Sequence, residues 1–370
     1  KKEFFFFFFY LWLEKYKNIV GQGFNFSPRF RCEYDEDTNE LTIDENKNYV
    51  SIFPDNINIT AIVGENGSGK SSILEELYSS LGISVILENN EIKIYTHITD
   101  IKIENFSTKS YMRADRLSQV HFSWDILHYE PVIDVLSYGK VNPNILLGIL
   151  GTFSHPDYID LNSYQNNTVL KYIEIYIKDK INIFDFSPTK INIKFPMKKN
   201  EDEWNLEKIK EEIEKLKFPK EEEEGKKKIY FETIKKYIEN YLKDGDFERN
   251  FTIEEYIKMI KELYEFREIL SRFPSFILDI YDNEISFFSL SHGERSILLS
   301  NALIYESIIN KKNQNILICL DEPELSLHPE WQKKYVNELI KIFSKVDKNL
   351  HFIITSHSPF ILSDLPKENV

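Results

Sequence analysis

Asn58 to Ser71 reads NITAIV-GENGSGKS: a β-branched run, a glycine-rich loop, and the first residues of a helical stretch continuing from Ser72 to Leu81. Gly64, Glu65, Asn66, Gly67, Ser68, Gly69, Lys70 and Ser71 match G-x-x-x-x-G-K-[ST] in full. Strand, glycine loop, helix is the context in which that pattern binds phosphate. Glycines permit turns that aim successive backbone N–H groups at phosphate oxygens, and the helix N-terminus adds its positive end. Lys70 would reach the β- and γ-phosphates, the Ser71 hydroxyl would face Mg²⁺, and Ser72 continues the loop into the helix.

Outward from this loop the chain divides by texture. Residues 4–63 read as short strands, with turns expected at Gly21-Gln22-Gly23 and at Asp35–Glu40. Phe4 to Leu13 is apolar but far shorter than the ~20 residues a bilayer-spanning helix needs, so it reads as a buried aromatic strand. Glu91–Tyr95 and Ile101–Ile103 are further candidate strands. Between 136 and 274 a mostly helical insertion is expected. Leu206, Ile209, Ile213 and Leu216 share one helical face, Ile229–Leu242 and Thr252–Arg272 read as helices, and Lys171–Lys178 and Lys190–Phe195 alternate as strands do. Lys220–Lys228 (KEEEEGKKK) reads as a solvated helix–helix turn. Strand–helix alternation returns from Phe276. The expected division is therefore 1–135, 136–274 and 275–370.

Bulk properties narrow the class. The 370 residues carry a net charge of −14, which argues against a protein whose whole surface coats nucleic acid. The two cysteines, Cys32 and Cys319, imply no disulfide framework and fit a reducing cytoplasm. No segment reads as crossing a membrane.

Four further segments carry chemistry. Ile316–Pro323 (ILICLDEP) is an apolar strand ending in paired acids, which places carboxylates where α/β proteins hold ligands. Asp321 is suited to Mg²⁺, and Glu322 to polarising the attacking water as general base. Leu290-Ser291-His292-Gly293-Glu294 opens a helix, and Ser291 with the Gly293 N–H makes an anion site there. Leu325–Pro329 follows the acids, and His357 sits in Thr355–Pro359 after the strand His351–Thr355. Gln119, in DRLSQVHFS, is a candidate glutamine near the metal only as the family resemblance set out next implies, through its Q-loop. Adenine-stacking candidates are too numerous in the first fifty residues to choose among.

In that order these segments resemble the ATP-sandwich (ABC-type) ATPases. The resemblance implies an α/β P-loop core, a mixed sheet with flanking helices plus an N-terminal β subdomain. It implies ATP and Mg²⁺ as ligands. Ser291, His292, Gly293 and Glu294 become the signature that meets the γ-phosphate held by a second protomer. Ser326 and His328 fall in a D-loop crossing that interface, and His357 becomes the switch histidine contacting the γ-phosphate. A homodimer or higher homo-oligomer follows.

GENGSGKS, LSHGE, LDEPELSLHP and ITSHSPF together look most like the compact OLD, Septu, retron-associated and PARIS ATPases. That likeness implies a cytoplasmic anti-phage defence ATPase gating a nuclease or toxic effector. OLD nucleases carry a Toprim domain after the core, whereas this chain ends at Val370 and begins at Lys1. The effector is therefore expected on a separate chain, or an end has been trimmed. Two alternatives use the same residues: an SMC-like repair factor that clamps DNA, and a scaffold locked by ATP with little turnover.

Overall fold

A computed structural model describes residues 6–65, 67–79, 82–115, 124–129, 166, 169–170, 172–177, 186–195, 206–216, 218–242, 248–273, 276–325, 327–363 and 365–369. Asn66, Gln119 and Ser326 lie outside them. The chain forms two compact units, Lys1–Ile133 with Ile304–Val370, and Asp134–Leu303.

In the first unit the strands are β1 (Phe6–Tyr16), β2 (Ile19–Asn25), β3 (Phe30–Asp35), β4 (Glu40–Glu45) and β5 (Ile57–Val63). After α1 (Lys70–Ser79) come β6 (Ile83–Glu88), β7 (Glu91–Thr96), β8 (Lys102–Asn105), β9 (Ser110–Asp115) and β10 (Trp124–Tyr129). β15 (Asn315–Asp321) and β16 (Asn349–Ser356) complete the set. They build a five-stranded sheet in order β2-β1-β6-β7-β9, a three-stranded sheet β3-β4-β8, and a sheet β10-β15-β16-β5 whose pairings are all parallel.

Every residue of β1 from Phe6 to Leu13 is buried, because both faces of this strand are covered. Phe6, Phe8, Leu11 and Leu13 join α1 and the parallel sheet through Ile73, Leu74, Leu77, Leu317, Cys319 and Ile353. Phe7, Phe9, Tyr10 and Trp12 face Phe30, Leu41, Ile43 and Val85. Strict alternation would put Phe9 and Tyr10 on opposite faces. A register shift between Phe8 and Tyr10 against β6 places both on the same side.

His351 ties these layers together. Its Nδ1 accepts from the Phe8 N–H at 3.2 Å and its Nε2 lies 3.1 Å from the Thr60 hydroxyl. That hydroxyl donates in turn to the Phe26 carbonyl, so the neutral Nε2–H tautomer satisfies every group. Burial pushes the imidazole pKa down to about 3.

The second unit contains β11 (Lys190–Lys194), β12 (Glu248–Thr252), β13 (Ile277–Asp282) and β14 (Ile285–Ser286), an antiparallel sheet in order β12-β11-β13-β14. Its helices are α2 (Leu206–Glu214), α3 (Glu223–Tyr241), α4 (Ile253–Glu262) and α5 (Phe266–Arg272). α6 (His292–Ile309) begins in this unit and ends in the first, where α7 (Pro329–Phe343) and the short α8 (Pro359–Leu362) follow.

Several local expectations are corrected. Gly21–Gly23 lies within β2, and the reversal falls at Lys17, whose φ is +50°. Gly23 serves close approach, since a Cβ there would sit 2.4 Å from the Tyr10 hydroxyl. Residues 172–177 are helical, because Val169, Tyr172 and Ile173 are buried at i, i+3, i+4 spacing that the local alternation obscured. Residues 252–272 form two helices after a strand. Thr252 ends β12 and caps α4 through a capping box with Glu255, and the break at 263–265 leaves Tyr264 exposed between buried Leu263 and Phe266. The charge run is a solvated turn only at Lys220–Glu222; from Glu223 onward it opens α3, where Lys227 pairs with Glu223 one helical turn back and with Glu214 of α2.

Two outcomes follow. Gly82, at φ +135°, has no room for a side chain, since a Cβ would lie 1.9 Å from the Trp12 carbonyl oxygen. Gly82→Ala is expected to cost about 3 kcal/mol or more in urea unfolding, or to prevent folding. His351 has a folded pKa below its unfolded one, so its contribution is complete above the unfolded value and is lost as pH falls. Between pH 6 and 5 stability should drop by up to about 1.4 kcal/mol per pH unit from this group, and His351→Asn should flatten that part of the profile.

Candidate functional site at the C-terminal edge of the parallel sheet

Because β5, β16 and β15 run parallel, their C-terminal ends meet at one edge. Val63 pairs with Ser356, and Asp321 with Thr355. The residues that follow each strand therefore emerge side by side: Gly64 after β5, His357 after β16, Glu322 after β15. Ligands of open α/β sheets bind at such an edge.

The loop from Gly64 leads directly into α1. Gly67 and Gly69 adopt φ of +78° and +100°, a region that L side chains rarely adopt, and a Cβ on Gly67 would meet nothing within 4 Å. The Ser68 N–H bonds the Glu65 carbonyl at 3.2 Å, and the Ile73 N–H bonds Gly69 at 3.0 Å as the helix starts. Lys70, the first helical residue, is buried. Its ammonium donates to the carbonyls of Gly64 and Glu65, each at 3.0 Å, and so arches over the loop. Ser71 is exposed at this helix start, and Ser72 is buried beneath it.

The two acids are held by Thr355. Its hydroxyl donates to Asp321 Oδ1 and accepts from the Glu322 N–H at 3.1 Å, while its carbonyl accepts from the same N–H at 3.1 Å. Glu322 takes φ of +47°, a left-handed conformation that costs a non-glycine residue about 1 kcal/mol or more. The geometry turns its carboxylate back toward the sheet edge, where Oε1 lies 2.6 Å from His357 Nε2. Lys70 Nζ sits 2.9 Å from Nε2 and 3.4 Å from Nδ1 of the same ring. Lys70, Glu322 and His357 thus converge on one point, with Asp321 fixed beside them through Thr355.

Two residues assigned no role from sequence also act here. Thr355 was legible as the last β-branched residue of a strand, but not as the clamp on both acids. Glu324 is buried at 4% exposure although it lies in an acidic, turn-like segment. It accepts from the Ser356 hydroxyl and from the His357 N–H at 3.3 Å. Burial raises its pKa, against the pull of those donors.

The remaining assigned residues are placed as follows. His328 precedes α7, and its Nδ1 accepts from the Glu330 N–H at 3.4 Å as a helix cap. In the second unit, Ser291 and Glu294 form a reciprocal pair at the start of α6. Ser291 donates its N–H and hydroxyl to the Glu294 carboxylate at 2.8 and 2.7 Å, and its oxygen accepts from the Glu294 N–H at 3.3 Å. His292 and Gly293 occupy the first turn.

The loop, hydroxyl and carboxylate set fits a nucleotide with a hard divalent cation. Mg²⁺ is held by one or two protein oxygens plus phosphates, and among the described residues no cluster of three or more His, Cys, Asp or Glu competes for that role. Nor is any described helix long and apolar enough to cross a membrane.

Comparison with known proteins agrees with this geometry. Residues 198–363 match the family described as "AAA domain, putative AbiEii toxin, Type IV TA system", a span that includes Ser291–Glu294, Asp321, Glu322 and His357. The "Retron Vc95 probable ATPase" of Vibrio cholerae serotype O1 biovar El Tor is 26% identical over 85% of this chain and 68% of its own length. The "Retron Ec83 probable ATPase" of Escherichia coli is 32% identical over 27% of this chain and 19% of its own length. A solved structure of the recombination mediator protein RecF aligns over 97% of this chain and 94% of that one. Its identity is 12% and its TM-score 0.30, too low to add to the local geometry. With the phosphate-loop sequence set against paired acids on a parallel sheet, and with residues 198–363 matching an AAA-domain family, the chain is an ATPase similar to the retron-associated probable ATPases.

Proposed function

We propose that this ATPase hydrolyses ATP in composite sites of a homodimer. The convergence of Lys70, Glu322 and His357 beside Asp321 carries the reading. The Gly64–Ser71 backbone and Lys70 bind the β- and γ-phosphates. The Ser71 hydroxyl and Asp321 would hold Mg²⁺, which would supply charge neutralisation at the phosphates. Glu322 takes a proton from the attacking water, and His357 orients against the γ-phosphate. Ser291 and the Gly293 N–H of a second protomer close the site from the other side, at a helix N-terminus suited to an anion. The kinship with retron-associated ATPases supports a cytoplasmic defence role in which closure of this dimer gates a separate nuclease or toxic effector.

The chemistry is tested by steady-state ATPase assays with and without Mg²⁺. Glu322→Gln should lower kcat by about 100-fold or more while retaining nucleotide, the loss expected when a general base is removed. Lys70→Ala should lose nucleotide binding itself. Retained turnover in Glu322→Gln would remove the base assignment.

The composite site makes a separate demand on stoichiometry. With ATP, Glu322→Gln should double in mass by light scattering, and Ser291→Arg should stay monomeric. Lys70→Ala and Ser291→Arg, each inactive alone, should regain part of the activity when mixed, because one site of the mixed dimer has both halves intact. A mixture as inactive as its components would contradict the composite site.

A further inference from the structure

Beneath the catalytic edge lies a hydrogen-bonded network whose members reach none of the reacting groups except through His357. Glu324 Oε1 accepts from the Ser356 hydroxyl and the His357 N–H. The Ser356 oxygen accepts from the Ser358 N–H at 2.9 Å. The Ser358 hydroxyl donates to Gln332 Oε1 at 2.6 Å, and Gln332 Nε2 donates to the Leu327 carbonyl at 3.0 Å. The path starts on the segment after the paired acids, crosses the loop that carries His357, enters α7 and returns to that same segment. Ser356 is fully buried and Ser358 nearly so. Glu324 itself has only 4% of its surface exposed, and its second oxygen, Oε2, meets no hydrogen-bond partner.

A carboxyl group is costly to bury, so a core serving packing alone would place an apolar side chain here. What the carboxyl supplies is two directed bonds to consecutive residues, from the Ser356 hydroxyl and the His357 N–H, immediately before the point where the His357 ring leaves the chain. Those bonds fix the height and direction of the ring relative to Glu322, whose carboxylate follows from the same short segment. The Leu325 N–H bonds the Glu322 carbonyl at 3.0 Å and the Leu327 N–H bonds the Glu324 carbonyl at 2.9 Å, so Glu324 is tied by backbone bonds to the segment that carries Glu322.

We propose that Glu324 and Gln332 are positioning residues for hydrolysis: they lock the His357 loop to the segment that follows the paired acids and so set the distance between the His357 ring and the Glu322 carboxylate. The inference rests on the hydrolytic reading of Glu322 and His357. It predicts a defect in turnover without a defect in nucleotide binding.

The test measures kcat and KM for Mg²⁺-ATP on the full chain. Glu324→Ala is expected to lower kcat by about 10- to 100-fold with KM within about threefold, the scale of loss when a reacting group is misplaced by an ångström or less. Glu324→Gln keeps a carbonyl acceptor for Ser356 and His357 and should recover most of the rate. Gln332→Ala should lower kcat less, and adding it to Glu324→Ala should lower the rate no further, because both act through one network. Should Glu324→Ala fail to fold, Gln332→Ala and Ser358→Ala carry the test through the same kcat loss at constant KM. An unchanged kcat in the folded variants would overturn the proposal, as would a KM rising in step with the loss, or Glu324→Gln being as impaired as Glu324→Ala. Glu322→Gln, run alongside, separates the two readings. If it retains turnover, the hydrolytic assignment has failed. If it is dead while the network variants are normal, only the positioning role has failed.

Discussion

The pairing of β16 with β5 on one side and β15 on the other is the constraint on which the site depends. Asp321 stands opposite Thr355, and Val63 opposite Ser356. A slip of one residue between β15 and β16 would turn Thr355 to the other face relative to the acids and release both, and a slip between β16 and β5 would displace the Gly64 loop from His357. β16 is buried along nearly its whole length, and His351 at its start is bonded to β1 and β5, so the register is held at the end remote from the site as well.

With that register in place, the chemistry is arranged by short local devices. Thr355 offers a donor to Asp321 and two acceptors to the single N–H of Glu322, and these offset the left-handed backbone at Glu322. Backbone strain of this kind persists where surrounding bonds over-determine a residue. It aims the Glu322 carboxylate across β16 at His357 instead of out along the direction of β15. Lys70, at the start of the helix that follows β5, meets the same imidazole, so the segments after three neighbouring strands contribute one group each to a single point.

β1 supports this edge from below. Its aromatic run is buried on both faces because α1 and the parallel sheet lie on one side and the small β3-β4-β8 sheet contributes to the other. The irregularity between Phe8 and Tyr10 lets one strand serve both clusters across its full length. Gly82 permits the chain to pass against the Trp12 carbonyl, and a single methyl group there would force the start of β6 away from β1.

Much of this was legible in the sequence, for reasons that differ by residue. Phosphate binding needs glycines and a lysine at set spacing, so Gly64–Ser71 could be read without knowing anything distant. Asp321, Glu322 and His357 were legible because an apolar run followed by a polar residue marks the exposed end of a buried strand. Local patterns failed where distant atoms decide the outcome. Gly23 is a glycine because of Tyr10, and 172–177 is helical because of what covers it. Nothing near Glu324 tells that its carboxyl is buried or that Ser356 and Gln332 belong to one network with it. By itself the sequence determined which chemistry the chain carries, because those residue types act through contiguous spacing. Only the tertiary structure decided how the groups are aimed, because register, strand order and burial depend on contacts between residues hundreds of positions apart.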